Sequence, residues 1–196
     1  MNLRNLHRRT APILFVPLLL TALTGIVYRI GRSWLGLPKE FGSFMMLLHE
    51  GRFLGKPLVP IYVLLVGLGL LGMLVSGITL FKHRKKAAIS KPFKLSERKF
   101  HYMIAPIVSL PLAVSAVTGV SYRLGKVWFG LSDEQAAFLL RIHQGSYLGS
   151  TLSPIYVLLV GASLIAMLVT GIQMSGIVHK RRSYASRSHP QAPENH

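Results

Sequence analysis

The hydrophobic pattern of this chain is dominated by four long uncharged stretches, separated by shorter polar and charged segments. Each stretch is close to the roughly 20 residues that a helix needs to cross a bilayer. Because backbone polar groups in hydrocarbon must be satisfied within the segment itself, we expect these stretches to be helices. The pattern predicts an all-α membrane protein whose four transmembrane helices lie at about 10–30, 57–81, 102–124 and 152–178.

The second half of the chain repeats the first. A shift of 94 residues aligns 4–78 with 98–172 without a gap, and about half of the aligned positions are identical. Each unit is predicted to be a helix, a loop and a helix, so both units cross in the same direction and their pseudo-two-fold axis lies along the membrane normal. We therefore expect a four-helix bundle formed by a tandem duplication of a two-helix unit. Its predicted parts are a first repeat at 1–86, a cytoplasmic linker at 87–96, a second repeat at 97–180 and a disordered basic tail at 181–196.

Composition and charge support a membrane location. Hydrophobic residues make up 51% of the chain and charged residues only 15%, against about 25% charged in a typical soluble domain. The net charge of +17 would suggest nucleic acid in a soluble protein, but the basic residues gather at the N-terminus, at 82–99 and beyond 180. The positive-inside rule then predicts that both termini and the middle loop are cytoplasmic. Membrane lipid is the expected partner of these basic runs, and nucleic acid is not.

The absence of certain residues and motifs excludes several kinds of metal site and cofactor. The chain contains no cysteine, which excludes disulfides, thiolate metal sites and iron–sulfur clusters. It has no nucleotide or flavin fingerprint, so an electron donor would be quinol or a partner redox protein. No polar residues form a proton relay within the four stretches, which disfavours a transporter. We expect a multi-pass protein of the bacterial inner membrane or its equivalent.

Four of the eight histidines form two pairs related by the repeat, His7 with His101 and His49 with His143. Titratable side chains at membrane depth are functional candidates, and equivalent residues of the two repeats lie at equal depth on either side of the axis. Two such imidazoles can approach a flat cofactor from opposite faces, which predicts ligation of haem iron. Structural zinc fits less well because it takes four ligands. The alternative is that each histidine is an interfacial or hydrogen-bonded residue.

The positions of the pairs predict two haem b groups at different depths. His7 begins the first helix on the cytoplasmic side, whereas His49 lies in the opposite loop, just before the second crossing. The same holds for His101 and His143 in the second repeat. We therefore expect one haem toward the cytoplasm and one toward the other face.

Two further matched pairs lie on the shared helix face near His49 and His143. Gly25 and Gly119 are expected to admit a porphyrin edge because they lack side chains. Arg29 and Arg123 follow one turn later and are placed to pair with haem propionates. The alternatives are ordinary helix packing for the glycines and interfacial anchoring for the arginines.

Several short motifs occur in the same order in both repeats. They are Leu6-His7-Arg8-Arg9, Thr24-Gly25, Leu48-His49-Glu50-Gly51 and Ser76-Gly77, then His101, Thr118-Gly119, Ile142-His143-Gln144-Gly145 and Thr170-Gly171. This order resembles the PepSY-associated transmembrane family, over the chain up to about residue 180. Some members are haem-containing inner-membrane reductases of ferric siderophores, so the resemblance implies haem ligation at His7, His49, His101 and His143 and electron transfer across the membrane. Typical members insert soluble PepSY domains between helices, and this chain resembles a minimal form without them.

Two classes of function follow. The first is a di-haem b-type electron-transfer protein, either a membrane-bound oxidoreductase similar to ferric reductases or the redox subunit of a larger complex. The alternative is a non-redox accessory subunit that acts as a scaffold within a membrane complex. The two classes differ in whether the purified protein contains haem.

Overall fold

The computed structural model describes residues 2–84 and 97–175, and every regular element within them is helical. The α-helices are α1 (Leu3–Ser33), α2 (Lys39–His49), α3 (Val59–Arg84), α4 (Glu97–Trp128), α5 (Asp133–His143) and α6 (Gly149–Met174). Short 3-10 turns at Arg52–Leu54 and Ser146–Leu148 precede α3 and α6. The predicted all-α class is confirmed.

Four helices, α1, α3, α4 and α6, are long and apolar enough to cross a membrane, as predicted. Large apolar side chains such as Ile13 and Ile107 point away from the bundle, so the chain is an integral membrane protein in contact with lipid. The helices extend beyond the predicted spans, since α1 begins at Leu3 and α4 at Glu97. The reason is that apolar length marks the hydrocarbon layer, whereas a helix can continue past it with polar side chains.

The second half of the structure follows the first in its element bounds. Helices α2 and α5 begin and end at positions that are 94 residues apart, as do the two 3-10 turns. The duplication, its axis and the unit boundaries stay predictions, as does the side of the membrane on which the termini lie. The predicted linker at 87–96, the tail at 181–196 and the end of the last span near 178 lie outside the described residues.

The four long helices pack around a shared centre. Helix α1 contacts α3 and α6, and α4 contacts the same two, while α2 packs on α1 and α5 packs on α4. We call the end of the bundle that carries α2 and α5 the loop side, and the end at which α1 and α4 begin the far side. A cavity opens toward each end, and Leu18, Leu70, Leu112 and Leu164 line both cavities. These four residues, here the leucine layer, separate the two cavities.

Candidate functional site: two histidine pairs in one bundle

The loop-side cavity brings together the histidines of one predicted pair. His49 is the last residue of α2 and His143 the last residue of α5. Their imidazole centroids are 6.3 Å apart and the ring planes make an angle of 68°. The two repeats therefore each contribute one histidine to the same cavity.

The ends of α2 and α5 are fixed by glycines two residues after each histidine. Gly51 has φ of 69° and Gly145 has φ of 61°, a left-handed conformation that favours glycine at the end of a helix. A Cβ atom at Gly51 would overlap the ring of Tyr62, and one at Gly145 would overlap the ring of Tyr156. Packing on these tyrosines of α3 and α6 holds the helix ends, and with them the histidines, against the long helices.

Backbone carbonyl groups orient both loop-side imidazoles. His49 Nδ1 donates to the carbonyl oxygen of Thr21 at 3.0 Å, and His143 Nδ1 donates to that of Ser115 at 2.9 Å. A carbonyl only accepts, so each ring carries its proton on Nδ1 and leaves the Nε2 lone pair available. None of the residues in 2–84 and 97–175 is hydrogen-bonded to either Nε2. Metal-ligating histidines are oriented in this way, with the second nitrogen anchored.

Both loop-side histidines are held in the neutral form. Burial, and to a lesser extent the neighbouring His143, lowers the pKa of His49 to about 4. Burial likewise lowers the pKa of His143 below its usual value. Neutral imidazole is the form that can bind a metal ion.

Gly25 and Gly119 lie directly against the loop-side imidazoles. A Cβ atom at Gly25 would be 3.1 Å from His49 Cε1, and one at Gly119 would be 3.0 Å from His143 Cε1. The nearest atoms to both glycines belong to the histidine rings, and the porphyrin edge expected beside them stays a prediction. Both glycines thus contribute to the site by making room for its histidines.

The geometry of the loop-side pair is compatible with one metal ion between the rings. With a metal–imidazole bond of about 2 Å, two imidazoles on opposite faces of one ion have centroids about 6 Å apart. The observed 6.3 Å agrees with that separation. In the part of the chain that the structure describes, no three His, Cys, Asp or Glu side chains cluster to hold a metal ion by themselves. A flat cofactor that brings its own equatorial ligands needs only the two imidazoles, so haem fits this donor set.

Arg29 and Arg123 line the loop-side cavity, but each also contacts the opposite repeat. Arg29 Nη2 donates to Ser153 Oγ, and Arg123 Nη1 lies 3.4 Å from Glu50 Oε2. The Nε atoms of both arginines are buried and have no hydrogen-bond partner among the described residues. Because an unpaired buried donor is unfavourable, these N–H groups are suited to an additional anionic acceptor.

His7 and His101, the second predicted pair, both line the far-side cavity. His7 Nδ1 lies 2.6 Å from Ser76 Oγ, and His101 Nδ1 lies 2.7 Å from Thr170 Oγ1. The hydroxyl groups of Ser76 and Thr170 donate their own protons to helix carbonyls, at 3.1 and 2.7 Å. Each hydroxyl oxygen therefore accepts from Nδ1–H, which again leaves Nε2 free for a ligand.

The far-side cavity is looser and more basic than the loop-side cavity. A Cβ atom at Gly77 would be 3.6 Å from His7 Cε1, and one at Gly171 would be 3.7 Å from His101 Cε1. The cavity is lined by Arg4, Arg8 and Arg98, and none of its described lining residues is acidic.

The sequence predicted the histidines but not the groups that orient them. Ser76 and Thr170 belong to a repeated Ser/Thr-Gly motif, but the motif does not indicate that their hydroxyl groups contact His7 and His101. Thr21 acts through its backbone carbonyl, and Ser115 through its carbonyl at 2.9 Å with its hydroxyl oxygen 3.3 Å from His143 Nδ1. A backbone contact leaves no signal in the sequence. Glu50 was likewise not predicted as a partner of Arg123.

A comparison with known families identifies the central part of the chain. The family model described as the PepSY-associated TM region matches residues 31–138. The match includes His49 and His101, one histidine from each pair, and crosses from the first repeat into the second. No curated protein and no solved structure matches the chain.

Proposed function

This chain belongs to the PepSY-associated TM region family, and on that premise we propose that it is a di-haem b-type electron-transfer protein of the membrane. His49 and His143 bind one haem on the loop side, and His7 and His101 bind the other on the far side. The observation that carries the proposal is the pair of loop-side imidazoles, whose centroids are 6.3 Å apart and whose Nδ1 atoms are both anchored to carbonyls, with no described residue on either Nε2. The bound haem supplies a one-electron couple.

The residues of the chain orient the ligands and keep the two sites apart. The Nδ1 hydrogen bonds fix the tautomer of each imidazole and increase its basicity as a ligand. His7 precedes Thr21, whose carbonyl anchors the loop-side site, by 14 residues of helix α1, which is about 21 Å at 1.5 Å per residue. The leucine layer lies between these levels and excludes water from the centre of the bundle. Haems held at these two levels would supply one-electron couples on both sides of the leucine layer, and so a path for electrons between the two faces of the membrane.

The proposed electron donor is inferred from the cofactor-binding motifs that this sequence does not contain. It has no nucleotide or flavin fingerprint, so we propose quinol or a partner redox protein as the electron donor. The protein acts either as a membrane reductase related to ferric reductases or as the redox subunit of a larger complex. Both forms require haem in the bundle, and the alternative of a non-redox scaffold does not.

The haem content of the purified protein tests the proposal. After expression with ample haem supply, the reduced-minus-oxidised spectrum should show low-spin b-type haem at two haems per chain. The haem should be extractable with acidic solvent, because the chain has no cysteine for covalent attachment. A His189→Ala variant, which removes a histidine without a counterpart in the other repeat, serves as the control and should keep both haems. Protein without a Soret band would overturn the proposal and favour the scaffold.

A further inference from the structure

The two halves of the loop-side cavity carry different charges. Glu50 follows His49 and Gln144 follows His143, at equivalent positions of the two repeats. The Glu50 side chain is only 13% exposed, and its Oε2 lies 2.8 Å from Arg52 Nε and 3.4 Å from Arg123 Nη1. Arg123 therefore shares a carboxylate with Arg52, and the equivalent position of the other repeat has no carboxylate.

Arg29, the counterpart of Arg123, has a neutral partner instead. Its Nη2 donates to Ser153 Oγ, and that hydroxyl donates in turn to the carbonyl oxygen of Gln144 at 2.8 Å. Ser153 is fully buried, and the equivalent position of the first repeat is Val59, which cannot form these bonds. Within 2–84 and 97–175 no acidic side chain pairs with Arg29, whereas Arg123 has Glu50. The Nε of Arg29, like that of Arg123, is buried without a partner. Arg29 thus brings an uncompensated positive charge to the cavity.

We propose that Arg29, and not Arg123, holds the carboxylate group of the cofactor bound in the loop-side cavity. This inference rests on the proposed function, since haem b carries the propionate carboxylates. A carboxylate next to Arg29 gains a charge-assisted hydrogen bond in a site screened from water. A carboxylate next to Arg123 meets the like charge of Glu50, which offsets that attraction. Arg123 instead connects α4 to the end of α2 through Glu50.

The residue at the equivalent position of the second repeat suggests a variant that tests the role of Glu50. The substitution Glu50→Gln installs the residue that the second repeat has at position 144. It releases Arg123 from its ion pair and removes the carboxylate that the second repeat lacks, while Val59 and Ser153 still differ. If Glu50 is what excludes Arg123 from binding the carboxylate, Glu50→Gln should compensate for loss of Arg29.

The rate of haem release tests the proposal in full-length protein in detergent. A parent variant with His7→Ala and His101→Ala retains only the loop-side haem, whose transfer to excess apomyoglobin is followed in the Soret band. Arg29→Gln should accelerate release by about tenfold or more, whereas Arg29→Lys, which keeps the positive charge but not the guanidinium geometry, should accelerate it less. Arg123→Gln combined with Glu50→Gln removes the ion pair as a whole and should also stay within about threefold. Arg29→Gln combined with Glu50→Gln should recover most of the loss.

Three results would overturn the proposal. They are release from Arg29→Gln at the parent rate, equal acceleration when the Arg123–Glu50 pair is removed, and failure of Glu50→Gln to rescue Arg29→Gln. Ferric EPR of each variant checks that both imidazoles still bind, so that a misfolded protein is not counted as a lost carboxylate contact. A parent protein without haem would contradict the proposed function as well, whereas a haem-loaded parent with any of the three results contradicts the Arg29 proposal alone.

Discussion

The loop-side and far-side sites orient their histidines by different means. On the loop side, His49 and His143 lie at the ends of short helices, and backbone carbonyls accept their Nδ1–H groups. On the far side, His7 and His101 lie within the spanning helices, and side-chain hydroxyls accept. A backbone carbonyl remains after any substitution, whereas a hydroxyl is removed by a single one. The orientation of the loop-side histidines therefore depends mainly on the backbone, and that of the far-side histidines depends on the side chains of Ser76 and Thr170.

The two sites also differ in how closely the helices enclose the imidazoles. The loop-side glycines leave 3.0–3.1 Å between a hypothetical Cβ and the histidine ring, and the far-side glycines leave 3.6–3.7 Å. The first separation is tighter than ordinary van der Waals contact and the second is not. A methyl group should therefore disturb one site and be accommodated at the other.

Removing a histidine should have the largest effect and should be confined to one site. We expect His143→Ala to reduce the haem content from two per chain to one by removing the loop-side haem, and His101→Ala to do the same on the far side. Pyridine haemochrome assays against protein concentration measure the ratio. The double variant His49→Ala/His143→Ala should lose no more haem than either single variant. A further loss in the double variant would contradict the pairing across repeats.

Adding a methyl group at the glycines should distinguish the two sites. Gly119→Ala places its Cβ about 3.0 Å from His143 Cε1, so the imidazole must shift by a few tenths of an ångström and the loop-side haem should be largely lost. Gly171→Ala, at 3.7 Å from His101 Cε1, should retain the far-side haem. The haem content of both variants, purified in parallel, measures the difference. Greater loss in Gly171→Ala would show that glycine contact does not explain how the sites differ.

Removing the hydroxyl anchors should weaken the far-side site alone. Loss of the group that orients a ligating histidine typically lowers metal affinity by about 10–100-fold, and we expect this for the far-side haem in Ser76→Ala or Thr170→Val. Thr24→Val is the matched control, because Thr24 Oγ1 lies 3.3 Å from His49 Nδ1 while the Thr21 carbonyl remains at 3.0 Å. Haem titration of the cofactor-free protein gives the affinities. Equal weakening in Thr24→Val would contradict the division between carbonyl and hydroxyl anchors.

The smallest expected effect is on the reduction potential of the loop-side haem. A positive charge beside haem favours the reduced form, which carries one positive charge fewer, so Arg29→Gln should lower this potential by an amount on the order of tens of millivolts. The far-side haem, about 20 Å away along the helix rise, should keep its potential. A redox titration of both haems measures the shifts. An equal change at both sites would indicate a general structural effect of the substitution.

The sequence predicted the features that depend on the repeat and on apolar length. The four uncharged stretches predict four transmembrane helices, because a helix that crosses a bilayer must be predominantly apolar over about 20 residues. The histidine pairs follow from positions that both repeats kept, and the structure brings His49 and His143 into one cavity. The first residues of α1 and α4 could not be predicted from apolar length, because a helix can continue beyond the hydrocarbon layer of the membrane.

The contacts that distinguish the two repeats were not predictable from their similarity. Glu50 with Arg123 and Arg29 with Ser153 both connect one repeat to the other. They depend on positions where the repeats differ, Glu50 against Gln144 and Val59 against Ser153. A comparison of the repeats emphasises what they share, so it misses a pairing that exists only once. Only the three-dimensional arrangement shows that both contacts involve arginines that line the same cavity.

The central claim is that histidines of opposite repeats form two bis-histidine haem sites, and low-temperature EPR of the oxidised protein tests it most directly. Ferric haem with two imidazole ligands gives a low-spin signal, so the wild-type protein should show two such signals. His49→Ala and His143→Ala should each abolish the same signal, and His7→Ala and His101→Ala should each abolish the other. Absence of low-spin ferric haem in the wild-type protein would contradict the account. Loss of one common signal in His7→Ala and His49→Ala would contradict it equally, because the pairing would then lie within a repeat.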